Sequence, residues 1–84
     1  MNGIEWKLRW REEIEGISAA GKLVFEFTIG EKHVYFPTHD RWLAVAPAWA
    51  KEQWQTWHDS CATWCKANRI PMSVVGDAHV TAEA

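Results

Sequence analysis

The stretch IEWKLRWR at residues 4–11 decides the fold, because apolar and charged side chains alternate along it without exception. Its apolar positions are Ile4, Trp6, Leu8 and Trp10. A period of two is typical of a strand with one buried face and one solvated face. Residues 4–11 therefore predict the first strand of a sheet, and residues 12–17 are expected to continue that strand past a β-bulge.

The next two strands are predicted to form a hairpin. Alternation resumes in the segment LVFEFTI at residues 23–29, after a turn at residues 18–21. Gly30-Glu31 fits a two-residue hairpin loop, because glycine takes the positive φ of the first loop position without strain. The predicted pairs are Thr28–His33, Phe27–Val34, Glu26–Tyr35 and Phe25–Phe36. Pro37 ends the third strand, since proline has no N–H to donate to a ladder.

A long helix is predicted from Pro47 to about Lys66, because proline is well accommodated in the first turn of a helix. Apolar residues recur there at spacings of three and four, as on a helix with one buried face. These residues are Ala50, Trp54, Trp57, Cys61, Trp64 and Cys65. Residues 72–75 then predict a fourth strand, expected beside the first. Residues 76–84 have little to bury and are expected to form a flexible tail.

These elements predict one α+β domain over residues 1–75. Its expected architecture is a two-layer β-β-β-α-β fold, in which one long helix packs across the apolar face of a mainly antiparallel sheet. Seven Trp and three Phe among 84 residues supply bulk for the core. Trp42 and Trp49 flank an uncharged run, and they either close one end of this core or form an exposed apolar patch.

Charge and hydropathy exclude several classes of protein. Nine Lys and Arg against eleven Asp and Glu give a net charge of −2, which argues against nucleic acid as a partner. Charges stand near the N-terminus where a signal peptide needs an apolar run, and no apolar run is long enough to span a membrane. We expect a soluble cytoplasmic protein without a membrane partner, and its small size favours a bacterial or phage source.

His58, Cys61 and Cys65 are the residues most suited to binding a metal. They lie at positions i, i+3 and i+7 of the predicted helix, where zinc or copper would need a fourth ligand such as His79 or His39. The two cysteines also fall on the helix face that packs against the sheet, so we interpret them as buried, reduced thiols. The alternative function is therefore a small ligand- or metal-binding protein that uses these residues or a Trp-lined cavity.

The polar face of the predicted sheet is the main candidate surface. The candidate protein-binding residues are Lys7, Arg9, Arg11, His33 and Tyr35 on this face, with Arg41 and Trp42 in the adjoining loop. Arg and Tyr are favoured at protein interfaces, although cross-strand ion pairs that only stabilise the sheet would explain the same charges.

No motif marks a nucleophile or a phosphate loop, so we expect no enzyme, no catalytic residue, no cofactor and no bound metal. The function predicted from the sequence is that of a non-enzymatic adaptor or inhibitor. It binds an unidentified protein partner through the polar face. The protein itself is expected to be a monomer or a weak homodimer, since the third strand would have a free edge.

Overall fold

In the computed structural model, which describes residues 3–9 and 12–83, the chain folds into six strands and two α-helices. The strands are β1 (Glu5–Arg9), β2 (Glu13–Ile17), β3 (Lys22–Thr28), β4 (His33–Pro37), β5 (Met72–Val75) and β6 (Val80–Glu83). The helices are α1 (His39–Val45) and α2 (Trp54–Ala67), and a short 3-10 turn at Ala48–Ala50 lies between them. The predicted α+β class and mainly antiparallel sheet are confirmed, whereas the four-strand, one-helix layout is wrong.

The sheet is built around β3, in the order β1-β2-β3-β4-β5. One edge of β3 pairs with β2, and its other edge is shared: Lys22–Phe25 pair with β6, and Glu26–Thr28 pair with β4. These pairings are antiparallel, and β5 runs parallel to β4. The predicted position of residues 72–75 beside the first strand is therefore wrong, because β5 covers the edge of β4 that was expected to be free.

The chain reverses between Arg9 and Glu13, so β1 and β2 form a hairpin in place of one bulged strand. Glu12, directly before β2, has a φ of 60°, and a left-handed residue is common at the end of a hairpin connection. No glycine marks this turn in the sequence. Trp10 and Arg11 lie outside the described residues.

Residues 76–84 were expected to be a tail, and this prediction is wrong for residues 80–83. These residues form β6, whose backbone pairs with the first half of β3. The side chain of Val80 is buried against the core. The segment is ordered because β4 leaves the edge of β3 at Glu26, so that β6 satisfies the backbone groups along the remaining half of that edge.

The predicted hairpin register is confirmed at three pairs, Glu26–Tyr35, Phe27–Val34 and Thr28–His33. The turn spans residues 29–32, and the Thr28 hydroxyl donates to the carbonyl of Glu31 at 2.7 Å. Gly30 is not one of the described residues with positive φ, so that expectation is wrong. Phe25 pairs with Val80 along the backbone, whereas its ring stacks on Phe36 at a centroid distance of 5.0 Å.

Both helices contribute to the core on one face of the sheet, which we call the inner face. The indole N–H of Trp6 donates to Ser60 Oγ of α2 at 2.9 Å, and the ring of Trp57 lies 6.2 Å from that of Phe25. Trp42 of α1 is fully buried, so this residue closes the core. The expected core residue Leu8 is instead 45% exposed, on the outermost strand of the sheet.

The single long helix predicted from Pro47 is interrupted, and α2 begins only at Trp54. The carbonyl of Ala50 explains the interruption, because it accepts hydrogen bonds from the Trp42 indole and from the backbone N–H of Gln53. Neither α1 nor α2, the α-helices of the described residues, has the length and apolar character needed to cross a membrane.

Candidate functional site

The outer face of the sheet lies opposite the core, and its members follow from the strand register. Cross-strand partners point to the same face, and successive residues point to opposite faces. Its residues include Glu5, Lys7, Arg9, Glu13, Glu15, Ile17, Lys22, Val24, Glu26, Thr28, His33, Tyr35, Ser73, Thr81 and Glu83. Five of these are carboxylates and three are Lys or Arg, so the outer face has an acidic balance.

Arg9 is tethered across this face. Its guanidinium lies 2.7 Å from the Glu83 carboxylate and 3.8 Å from that of Glu13, and Lys22 Nζ lies 3.5 Å from Glu15. The hydrogen bond to Glu83 raises the pKa of Arg9 above its ordinary value. Arg9 therefore links β1 to β6. This contact agrees with the interpretation that the charged side chains of the sheet form ion pairs that stabilise it.

A cavity of about 380 Å³ opens where the edge of β3 changes its partner from β6 to β4. Three carboxylates line it, those of Glu12, Glu13 and Glu26, together with Val24 and Thr81. Glu13 and Glu26 are direct cross-strand partners, and like charges in that position repel each other. The cavity therefore provides a negative potential that favours a cationic group.

His79 forms one side of the same cavity. Its backbone N–H donates to Glu26 Oε1 at 3.0 Å, and its ring Nε2 lies 3.8 Å from that oxygen. The imidazole is largely exposed. The carboxylate of Glu26 thus holds the start of β6 against β3 and also contributes to the cavity.

The structure brings four of the predicted binding residues to the outer face. Lys7 is exposed, and Arg9 is held in its ion pairs. His33 and Tyr35 are half-buried and stacked at a centroid distance of 4.5 Å, and His33 Nε2 shares a hydrogen bond of 2.7 Å with Ser73 Oγ.

The other predicted binding residues do not join this surface. Trp42 has 0% exposure, so its assignment to a binding loop is wrong: its indole stacks with Phe25 and Phe36 inside the core. Arg41 Nε donates to the carbonyl of Ala78 at 3.3 Å, which ties α1 to the segment before β6. Arg11 lies outside the described residues.

The residues of the alternative metal-binding hypothesis, His58, Cys61 and Cys65, are held in other contacts. Cys61 and Cys65 are free, buried thiols, as expected, and a hydrogen bond with Cys65 together with burial raises the pKa of Cys61. The His58 ring stacks on Trp54 at 4.9 Å, and its Nδ1 lies 3.0 Å from Asp59. Among residues 3–9 and 12–83, no group of three or more His, Cys, Asp or Glu is placed to hold a metal ion.

The acidic residues of the cavity could not be assigned to one site from the sequence. Glu12, Glu13 and Glu26 come from two different hairpins, and His79 and Thr81 come from the segment that was expected to be a tail. Only the alternation around Glu26 was visible beforehand, as a polar position in the second strand. The β1–β2 reversal and the pairing of β6 were both needed to bring these groups together.

The fold and its outer face define an α+β protein with a six-stranded mixed sheet and an acidic cavity on the side opposite its core. Comparison with protein-family models finds no match, and comparisons with curated proteins and with solved structures find no significant similarity.

Proposed function

We propose that this chain is a non-enzymatic protein-interaction domain that binds a protein partner through its outer face. Its architecture in this proposal is two-layered, with the helices on the inner face and the outer face free for the partner. The observation that carries the proposal is the cavity lined by Glu12, Glu13 and Glu26, because concave sites with a few convergent polar groups are the usual places of binding.

The cavity fits a basic side chain of the partner. A guanidinium can bridge two carboxylates through its fork of N–H donors, and Glu13 and Glu26 stand on adjacent strands as direct neighbours. Val24 and Thr81 provide contacts for the aliphatic part of an arginine or lysine. The Arg9 guanidinium already lies 3.8 Å from Glu13, and insertion of a second cation would further offset the repulsion between the two carboxylates.

Residues around the cavity suit the rim of such an interface. Tyr35 is the cross-strand neighbour of Glu26, and its ring is partly exposed beside His33. Tyr combines apolar contact area with a hydrogen-bonding tip, which explains its enrichment at interfaces. Lys7 extends the rim on β1 and would pair with an acidic residue of the partner.

The first test uses a defined probe, N-acetyl-arginine amide, titrated into the isotopically labelled protein by NMR. We expect amide shifts concentrated at Glu13, Glu26 and Thr81, and no comparable shifts with the citrulline analogue, which has the same shape without the charge. The E26Q and E13Q variants should weaken binding of the probe. Glu31→Gln is the matched control, since Glu31 is an exposed carboxylate in the β3–β4 turn.

A second test asks whether a protein partner binds through the same carboxylates. Chemical crosslinking in cell lysate should capture a partner with wild type and with E31Q, and an E13Q/E26Q double variant should lose it. A partner retained equally by the double variant would contradict the proposal, as would arginine-induced shifts spread over the molecule. In that case the charges of the outer face act only as ion pairs within the sheet.

A further inference from the structure

The two borders of the sheet differ in charge. Along the order β1-β2-β3-β4-β5, β1 lies at one border and β5 at the other, and β6, which pairs with β3, completes the β5 side. Glu5, Lys7 and Arg9 stand on β1, and charged side chains are a common protection of an exposed edge. β5 has the sequence MSVV, without a charge. Val74 is 41% exposed there, so the β5 border lacks that protection.

The hydrogen bonds to β4 show which backbone groups of β5 are free to pair further. Val34 N–H donates to the carbonyl of Pro71, and Thr38 N–H donates to the carbonyl of Val75. In a parallel ladder alternate residues direct both N–H and C=O to the same neighbour, so residue 73 also faces β4. Met72 and Val74 consequently direct their N–H and C=O groups away from β4.

Opposite charges flank this border. Arg69 lies three residues before β5, and Asp77 lies two residues after it. Both side chains are exposed, and neither forms an ion pair with any of the described residues. An antiparallel copy of β5 centred on Ser73 would bring the Arg69 end of one chain to the Asp77 end of the other, twice by symmetry.

We propose that the β5 border pairs with β5 of a second copy of this chain, antiparallel and across a two-fold axis at Ser73. Met72 of each copy then lies opposite Val74 of the other. Their outward N–H and C=O groups form the new ladder, and their side chains meet on the inner-face side. The dimer joins the two sheets edge to edge and leaves both acidic cavities open, so it is independent of the proposed partner binding.

Sedimentation velocity over a range of concentrations tests this pairing with the intact chain. Wild type should show a reversible dimer, and Val74→Lys should raise its dissociation constant by about tenfold or more, because it places two ammonium groups near the axis. Leu8→Lys is the matched control, since Leu8 is an exposed apolar residue on the opposite border; it should leave the dimer intact.

Charge reversal at Arg69 and Asp77 tests the two ends of the proposed ladder. Arg69→Glu and Asp77→Arg should each weaken the dimer, because each single change brings two like charges together at both ends of the ladder. The double variant should restore the dimer, because the two ends then carry opposite charges again with their signs exchanged. Circular dichroism of all variants confirms that they are folded. Three results would each overturn the proposal. They are a monomer at every concentration, a dimer that L8K weakens and V74K does not, and a double variant that dimerises as weakly as the single variants.

Discussion

Gly16→Ala is the sharpest test of how β2 packs against the core. A Cβ atom on Gly16 would lie 2.7 Å from Trp57 Cζ3 and 2.9 Å from Trp6 Cζ3, where ordinary contacts begin near 3.4 Å. The two rings already contact each other edge to face at 5.9 Å, so neither has free space. Accommodating the methyl group requires a ring or strand displacement of roughly 1 Å, which is the situation of an overpacked core.

The expected cost follows from two opposing terms. Overpacking destabilises by about 1–3 kcal/mol, and replacing a strand glycine by alanine returns about 0.5–1 kcal/mol of backbone entropy. We expect the free energy of unfolding to fall by about 1–2 kcal/mol, which lowers the Tm of a domain of this size by roughly 5–15 °C. Urea unfolding followed by Trp fluorescence and thermal unfolding followed by circular dichroism measure both quantities.

Gly30→Ala is the matched control, because nothing lies within 4 Å of the Cβ position at Gly30 and its φ is not positive. This variant should be as stable as wild type or slightly more stable. If Gly16→Ala unfolds at the same urea concentration as Gly30→Ala, the contact of β2 with the Trp6 and Trp57 rings is wrong. A Gly16→Ala, Trp6→Phe double variant should cost less than the sum of the single changes, since the smaller ring leaves room for the methyl group.

Three further predictions concern other parts of the core and sheet. Ser60→Ala leaves the buried indole N–H of Trp6 without its acceptor and should cost about 1–3 kcal/mol in urea unfolding. Cys61 and Cys65 should resist a thiol-reactive dye in the native protein and react after denaturation, because both are buried and the pKa of Cys61 is raised. Deletion of residues 79–84 should cost at least about 3 kcal/mol, measured by the same unfolding assay, since it removes β6 and the buried Val80.

The Ser60 substitution and the deletion each have a matched control variant. Thr63→Ala removes an exposed helix hydroxyl that bonds to the carbonyl of Asp59, and it should be nearly neutral beside Ser60→Ala. Glu83→Gln removes the ion pair to Arg9 and keeps β6, so it should be far milder than the deletion. Rapid native labelling of either thiol, or a deletion variant as stable as wild type, would contradict the burial described for these segments.

Several elements were predictable from local periodicity. The face of α2 that carries Trp57, Cys61 and Cys65 is buried as its spacing indicated, and the β3–β4 register follows the alternation around Phe27 and Val34. In both cases the pattern and the packing are set by residues close together in the chain. Such short-range patterns do not depend on the tertiary contacts of the rest of the chain.

The β1–β2 hairpin shows why the same reasoning failed nearby. Trp6 lies opposite Gly16 and Leu8 lies opposite Ile14, so the even-numbered residues point to the inner face on both sides of the reversal, although Leu8 lies beyond the core there. Because Arg9 pairs with Glu13, odd- and even-numbered residues keep their faces across the reversal. One continuous strand and two paired strands therefore have the same alternation. A turn-forming residue type was the only other local feature that could have indicated the reversal. It was absent, because Glu12 takes its φ of 60° without the glycine that usually marks such a position.

The acidic cavity was beyond sequence reasoning for a different reason. Val80 and Glu83 belong to a four-residue segment that mixes strand-favouring Val and Thr with strand-disfavouring Ala and Glu. Its pairing with the distant β3 sets its extended form. Without β6 the cavity has no wall at His79 and Thr81. The strand register places Lys7, Arg9, His33 and Tyr35 on the outer face, as their alternation predicted. The acidic centre of this face depends on contacts that no local pattern encodes.

The sharing of one β3 edge by β4 and β6 has a consequence for the order of folding during synthesis. Residues 80–83 are made long after β3, and the link between Arg9 and Glu83 closes a loop of 74 positions. Chains grow from the N-terminus, so half of that edge lacks its native partner until the last strand emerges from the ribosome. Pairing between residues so far apart in the sequence is slower than formation of a local hairpin. Until β6 pairs, the growing chain would expose the unpaired half of the β3 edge, which is a template for pairing with another strand.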